Sequence, residues 1–188
     1  PMKRRLLWLL ASVLVGLASL LGPSSAVWAA DPQQAVFAGG CFWCLEHDLE
    51  VLPGVISAES GYSGGTTANP TYQQVSSGRT GHAESVLVRF DPDRISYATL
   101  LRAFWRNVDP LDGEGQFCDR GSSYRPVIFT DSADQLEQAS ESERLARREL
   151  GTSGALAVAI EPLKRFWPAE DYHQDYAERQ ALTYNFYR

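Results

Sequence analysis

Cys41 and Cys44, three residues apart, are the side chains in this sequence best suited to chemistry. They follow Gly39-Gly40 and open a stretch in which Phe42, Leu45, Leu49 and Leu52 fall at helical spacing, with Pro53-Gly54 as the stop. A thiol on the first turn of a helix faces unpaired backbone N–H groups, which favour an anion and lower its pKa. Cys41 is therefore expected to be a thiolate nucleophile. The two glycines allow a tight turn and leave room for a ligand. Cys44, one turn further on, is placed to form a disulfide with it, as in dithiol oxidoreductases. A zinc knuckle would need two more ligands, and Cys118, His47, His82 and His173 stand at no recognised spacing. No bound metal is expected.

Other residue types complete a possible reaction centre. Phe42 and Trp43 lie between the cysteines and would wall an apolar pocket for a small alkyl group. Glu84 begins a strand in Gly81-His82-Ala83-Glu84. A carboxyl beside an apolar pocket has its pKa raised and serves as a general acid near neutrality. Tyr72 and Tyr124 follow loop residues and are candidate hydrogen-bond donors to a substrate oxygen, and Asp119 stands next to Cys118. Spacing alone does not bring these four to Cys41.

The elements that must position them come from one ordinary globular stretch. The chain has 188 residues, 44 % hydrophobic and 21 % charged, with a net charge of −6. Such a composition excludes collagen, coiled coil and multi-span membrane proteins. An acidic balance argues against nucleic-acid binding, which needs cations for phosphates. Lys3, Arg4 and Arg5, the apolar run from Leu6 to Leu21 and the small residues Val27 and Ala29 read as a signal peptide, residues 1–29. The chain is then expected to be exported, in the periplasm or another extracytoplasmic space. The alternative is a membrane anchor at 6–22. Cleavage removes three basic residues and leaves 14 basic against 23 acidic, a net charge of −9. It also leaves three cysteines, an odd count that points to a free thiol or exchanging pairs rather than to stapling.

Residues 30–188 read as one domain with no repeats or long linker. Strands are expected at 35–38, 55–62, 82–90, 126–130 and 155–160. Helices are expected after Gly40, at 69–77, after Ser96, at 132–150 and at 169–180. The long stretch 109–124 is a loop of the functional kind. The alternation predicts an α+β fold, a two-layer ferredoxin-like plait with a mixed sheet and long active-site loops.

The blocks Gly39-Gly40-Cys41-Phe42-Trp43-Cys44, Gly61-Tyr62-Ser63-Gly64-Gly65, Asn69-Pro70-Thr71-Tyr72, Gly81-His82-Ala83-Glu84, Phe104-Trp105 with Asp109-Pro110, and Ala169 to Tyr176 together resemble the peptide methionine sulfoxide reductase A family. The resemblance runs in order through nearly all of the chain after Gln33. It implies reduction of the S epimer of methionine sulfoxide, free or in proteins, by a monomeric enzyme without a bound cofactor. By the same resemblance Cys41 attacks the sulfoxide sulfur, Phe42 and Trp43 hold the substrate methyl, and Glu84 protonates the oxygen. Tyr72 and Tyr124 hydrogen-bond that oxygen, and Asp119 fixes the substrate backbone. A thioredoxin-type reductant would recycle the resulting disulfide. Two departures stand out. Cys118 and Ser122-Ser123 occupy positions where many members have Asn and Thr-Gln, and no glycine-rich cysteine-bearing tail precedes Arg188. The resolving thiol is therefore expected to be Cys44, with Cys118 as the alternative.

Three rival readings remain open to the sequence. A cysteine protease would pair Cys41 with His173, but its oxyanion glutamine is missing, Ala35 standing six residues before Cys41. A general dithiol exchanger would need only Cys41 and Cys44. A peptide-binding module would use the aromatic residues alone.

Overall fold

The computed structural model describes residues 30–187; the expected signal segment, 1–29, lies outside them. In chain order the elements are β1 (Gln33–Ala38), α1 (Phe42–Glu50), β2 (Val55–Ser63), α2 (Tyr72–Ser76), β3 (Ala83–Phe90) and α3 (Tyr97–Arg106). There follow β4 (Gly115–Gln116), β5 (Asp119–Arg120), β6 (Val127–Thr130), α4 (Ala133–Glu149), β7 (Ala159–Pro162), β8 (Phe166–Pro168), α5 (Tyr176–Arg179) and α6 (Ala181–Tyr187). Six strands form one mixed sheet in the order β7-β6-β1-β3-β2-β8. Only β6 and β7 run parallel; the other neighbours are antiparallel. The fold is α+β.

Strand alternation divides the apolar residues between the two faces of the sheet. Ala35 and Phe37 of β1, with Val86, Val88 and Phe90 of β3, pack under α1 and α3 in the main core. Val36, Ala38, Ala83, Val127 and Phe129 form a smaller cluster on the other face, beneath Leu163 and Phe166. Helix α1 buries Phe42, Leu45 and Leu49, which recur every three to four residues. Helix α3 is capped by Ser96, whose Oγ accepts the Thr99 N–H at 3.2 Å, and it stacks Phe104 on Phe37 at 5.3 Å. Helix α4 buries only Ala139, as its polar sequence predicts, and is tied to α3 by Trp105 Nε1–H donating to Ser142 Oγ.

Two expectations need correction, and one strand was not expected. The strand expected at 155–160 begins at Ala159 and runs beside β6. Strand β8, on the edge of the sheet, was hidden between prolines and reads locally as a loop. The helix expected at 169–180 does not form. Residues 171–173 make a single 3₁₀ turn, Asp175 sits in the left-handed region at φ 54°, and α5 starts only at Tyr176. Besides the bonds within the segment itself, polar groups of 169–174 bond to distant strands. Ala169 N–H donates to the Ser60 carbonyl, and the Gln174 side chain bonds both the N–H and the carbonyl of Ser60. Tertiary hydrogen bonds thus outweigh a weak local helical preference. Among the described residues no helix is long and apolar enough to cross a membrane.

Candidate active site

Cys41 stands at the N-cap of α1, where β1 ends and the chain turns through Gly39-Gly40. The turn requires glycine at position 40: its φ is +78°, and a Cβ there would lie 2.8 Å from the Cβ of Gln116. Gln116 is fully buried and pins the loop opposite. Its amide oxygen accepts the Asp109 N–H at 2.6 Å, and its NH₂ donates to the Asp109 and Asp112 carbonyls at 3.1 and 2.8 Å. That network fixes the β4–β5 hairpin against the start of α1.

The helix N-terminus does not serve the sulfur in the way the sequence predicted. The Phe42 N–H, at the first position of α1, donates to Glu84 Oε2 at 3.1 Å. Glu84 is 2 % exposed. Burial pushes its pKa up to about 8, against the Phe42 bond that pulls it down; the charges of Asp119 and Cys44 add to the rise. The sequence expectation of a buried acid near neutrality is met. The expected resting thiolate is not. A hydrogen bond with Cys44, burial and the Glu84 charge all push the Cys41 thiol well above its ordinary value. The Phe42 amide goes to the carboxylate; the Cys44 N–H, also on the first turn, still pulls the thiol down, but the other three causes outweigh it, so the resting sulfur stays protonated.

Tyr62 of β2 pairs across the sheet with Glu84 of β3, so the β2–β3 register carries the carboxyl to the end of α1. The result is a small cup of about 160 Å³ lined by Cys41, Phe42, Trp43, Tyr72, Glu84, Asp119 and Tyr124. These are the seven residues singled out in the sequence, other than the second thiols. Burial and then the Glu84 charge hold the phenols of Tyr72 and Tyr124 above the usual tyrosine range, so both stay neutral donors. Cys44 and Cys118 are not around the cup. They line a second cavity of about 390 Å³ that also touches Cys41 and Asp119. Cys44 is half-buried and Cys118 exposed.

The C-terminal strap, residues 169–176, supplies support that sequence reasoning missed. Glu170 accepts the Tyr72 N–H and the Tyr62 hydroxyl, each at 2.9 Å. Trp43 Nε1–H donates to His173 Nδ1 at 3.1 Å, and its ring stacks on Tyr176 at 3.7 Å. Bonding Trp43 through Nδ1 puts the neutral His173 proton on Nε2, and burial keeps the ring below its ordinary pKa. His173 is therefore engaged with the cup wall and not with Cys41, which removes the basis of the protease reading. The sequence marked Ala169 to Tyr176 as a block of the resemblance without a role for it, and its polar residues are too dense for a buried helix. Among the described residues, no group of three or more His, Cys, Asp or Glu side chains is placed to hold a metal ion.

With this geometry in place, known proteins are informative. Residues 33–188 match the family model for peptide methionine sulfoxide reductase. The chain is 48 % identical over 186 residues to a peptide methionine sulfoxide reductase MsrA 2 of Caulobacter vibrioides, covering 98 % of this chain and 92 % of that one. It is 49 % identical over 167 residues to the MsrA/MsrB protein of Vibrio cholerae, covering 85 % of this chain but only 42 % of that longer protein. The crystal structure of reduced Mxr1 from Saccharomyces cerevisiae superposes with a TM-score of 0.75 at 28 % identity, covering 80 % of this chain and 86 % of that one. On these matches the chain belongs to the peptide methionine sulfoxide reductase A family and is an oxidoreductase of methionine sulfoxide.

Proposed function

We propose that the chain reduces the S epimer of methionine sulfoxide, free or within proteins, through a sulfenic acid on Cys41. The observation that carries this reading is the cup itself: a thiol, a buried acid, two phenols and two apolar walls around about 160 Å³. A sulfoxide sulfur is a poor electrophile until its oxygen is protonated. Glu84, titrating at about 8, holds a proton at neutral pH and gives it to that oxygen, while Tyr72 and Tyr124 hydrogen-bond it. Phe42 and Trp43 take the methyl group, and Asp119 fixes the substrate backbone. The Cys41 sulfur attacks the substrate sulfur as the S–O bond breaks, giving a Cys41–sulfonium S–S bond and hydroxide, while the thiol proton replaces the one Glu84 gave. Hydroxide then attacks the Cys41 sulfur, the S–S bond breaks, methionine leaves with the electron pair, and Cys41 carries the oxygen as S–OH. Since the resting thiol is protonated, its ionisation is part of the reaction with bound substrate rather than a property of the empty site.

Cys44 then attacks the sulfenic sulfur, forming a Cys41–Cys44 disulfide and releasing water. Its hydrogen bond with Cys41 favours it over the exposed Cys118. A thioredoxin-type dithiol restores both thiols; yeast Mxr1 has been solved in complex with Trx2. Selection of one epimer follows from fixed places for oxygen, methyl and attacking sulfur around a tetrahedral centre, which leave one direction for the rest of the substrate. Single-turnover assays with each epimer test this: methionine is expected from the S form only, and equal reduction of the R form would refute it.

Three broader expectations belong to the same proposal. The order β6-β1-β3-β2 with antiparallel neighbours supports reading the inner sheet as a ferredoxin-like plait. The enzyme acts as a monomer. The N-terminal pattern supports export after cleavage behind Ala29, with repair of oxidised exported proteins as the role. A mature protein starting at Ala30 outside the cytoplasm is the expected observation, and an intact cytoplasmic chain would refute it.

A further inference from the structure

We infer that the mouth of the second cavity, built around Phe117, is the docking site of a protein dithiol that reduces the enzyme. The inference rests on the Cys41–Cys44 disulfide proposed above and names the surface through which that bond is reached. The cup is lined by Cys41 and not by Cys44. Cys44 lines the other cavity, of about 390 Å³, together with Leu45, Phe117 and Cys118. The second cavity thus gives an incoming thiolate a route to Cys44.

Phe117 marks its rim in an unusual way. It is 73 % exposed, and it is one of three non-glycine residues in the left-handed region among the described residues, at φ 51°. A large aromatic side chain held in that backbone region is strained, and here it gains almost no burial in return. The β4–β5 turn thus presents an apolar ring to solvent beside a cavity that Cys44 lines. Aromatic residues so placed are the usual anchors of protein interfaces. A protein dithiol whose reactive cysteine lies on an apolar surface is the partner of matching chemistry: its thiol has to enter the cavity while its surface covers the ring. A small dithiol needs no such surface.

The exchange balances. A partner thiolate attacks Cys44 Sγ, the Cys41–Cys44 bond breaks, and Cys41 leaves as a thiolate that takes up a proton. The partner's second thiolate then attacks the mixed disulfide, releasing Cys44. The partner becomes a disulfide, and both enzyme thiols are restored.

The test compares wild type with Phe117→Asn, which removes the ring while tolerating the left-handed backbone, and with Phe117→Tyr, which keeps the ring. Donors are reduced thioredoxin and dithiothreitol, at saturating sulfoxide. The expected result for Phe117→Asn is a KM for thioredoxin raised about tenfold, the effect of a lost interface anchor. Its rate with dithiothreitol stays within about twofold of wild type, and Phe117→Tyr keeps the wild-type KM. An unchanged thioredoxin KM in Phe117→Asn, or an equal loss with dithiothreitol, overturns the inference. Peptide mapping of wild type after one turnover separates the two layers: absence of a Cys41–Cys44 disulfide would overturn the parent reading instead.

Discussion

Replacing Glu84 by Gln should remove catalysis and add stability, and the two effects have one cause. The amide fills the same space, and its oxygen can still accept the Phe42 N–H that Glu84 accepts at 3.1 Å. What is lost is the transferable proton. In the wild type, a carboxyl titrating at about 8 is about nine-tenths protonated at pH 7 and about one-tenth at pH 9. The single-turnover rate should therefore be flat below pH 7 and fall about tenfold per pH unit above 8. In Glu84→Gln it should be about 10²–10⁴ lower at pH 7, the range for a lost general acid, and that alkaline limb should be gone. Stability moves the other way. The folded carboxyl titrates above its unfolded value of 4.5, so the folded state binds the extra proton between about 4.5 and 8. The stability contributed by Glu84 is then fully present below 4.5, is lost as pH rises to about 8, and levels off beyond. The ionisation cost accumulated by pH 9 is on the order of a few kcal/mol, and the amide does not bear it. Methionine formation at excess enzyme, with denaturant unfolding of both proteins at pH 5 and pH 9, reads both effects. A variant rate within threefold of wild type, or a variant no more stable than wild type at pH 9, would refute the reasoning.

Two further outcomes follow from the same geometry. Cys44→Ser should still release one methionine per enzyme but accumulate a Cys41 sulfenic acid that dimedone traps, with thioredoxin-supported turnover abolished; sustained turnover through a Cys41–Cys118 disulfide would assign resolution to Cys118. Gly40→Ala places a Cβ at φ +78° and 2.8 Å from Gln116, so it should cost about 1–3 kcal/mol in denaturant unfolding and slow single turnover by displacing the loop that carries Asp119; wild-type values for both would show that this turn is not constrained.

Much of the framework was legible because its causes are local. Phe42, Leu45 and Leu49 at helical spacing, Ser96 before α3 and the alternation of Val86, Val88 and Phe90 are patterns within a few residues, and the elements follow them. The chemistry of the reaction centre was legible from residue type: a thiol after paired glycines, a carboxyl at a strand start, and aromatic residues beside the thiol. What no local pattern could express was which partner each polar group takes. Phe42 meets Glu84 across 42 positions, Tyr72 meets Glu170 across 98, and Trp43 meets His173 across 130.

Those long-range bonds decided what the sequence left open or misread. They unravelled the helix expected at 169–180, because its polar side chains are worth more against Ser60, Tyr62 and Tyr72 than along a helix of their own. They also settled where the proton rests at Cys41 and Glu84. A helix N-terminus favours whichever anion reaches its amides. By residue order that was Cys41; in three dimensions the β2–β3 register also brings Glu84 there, to the Phe42 N–H, and the Cys44 side chain, burial and the Glu84 charge outweigh the Cys44 N–H, leaving the sulfur protonated. Residue types determine which chemistry is available, since that is a property of single side chains. Protonation and access depend on burial and distance, which exist only once strands far apart in the chain have paired.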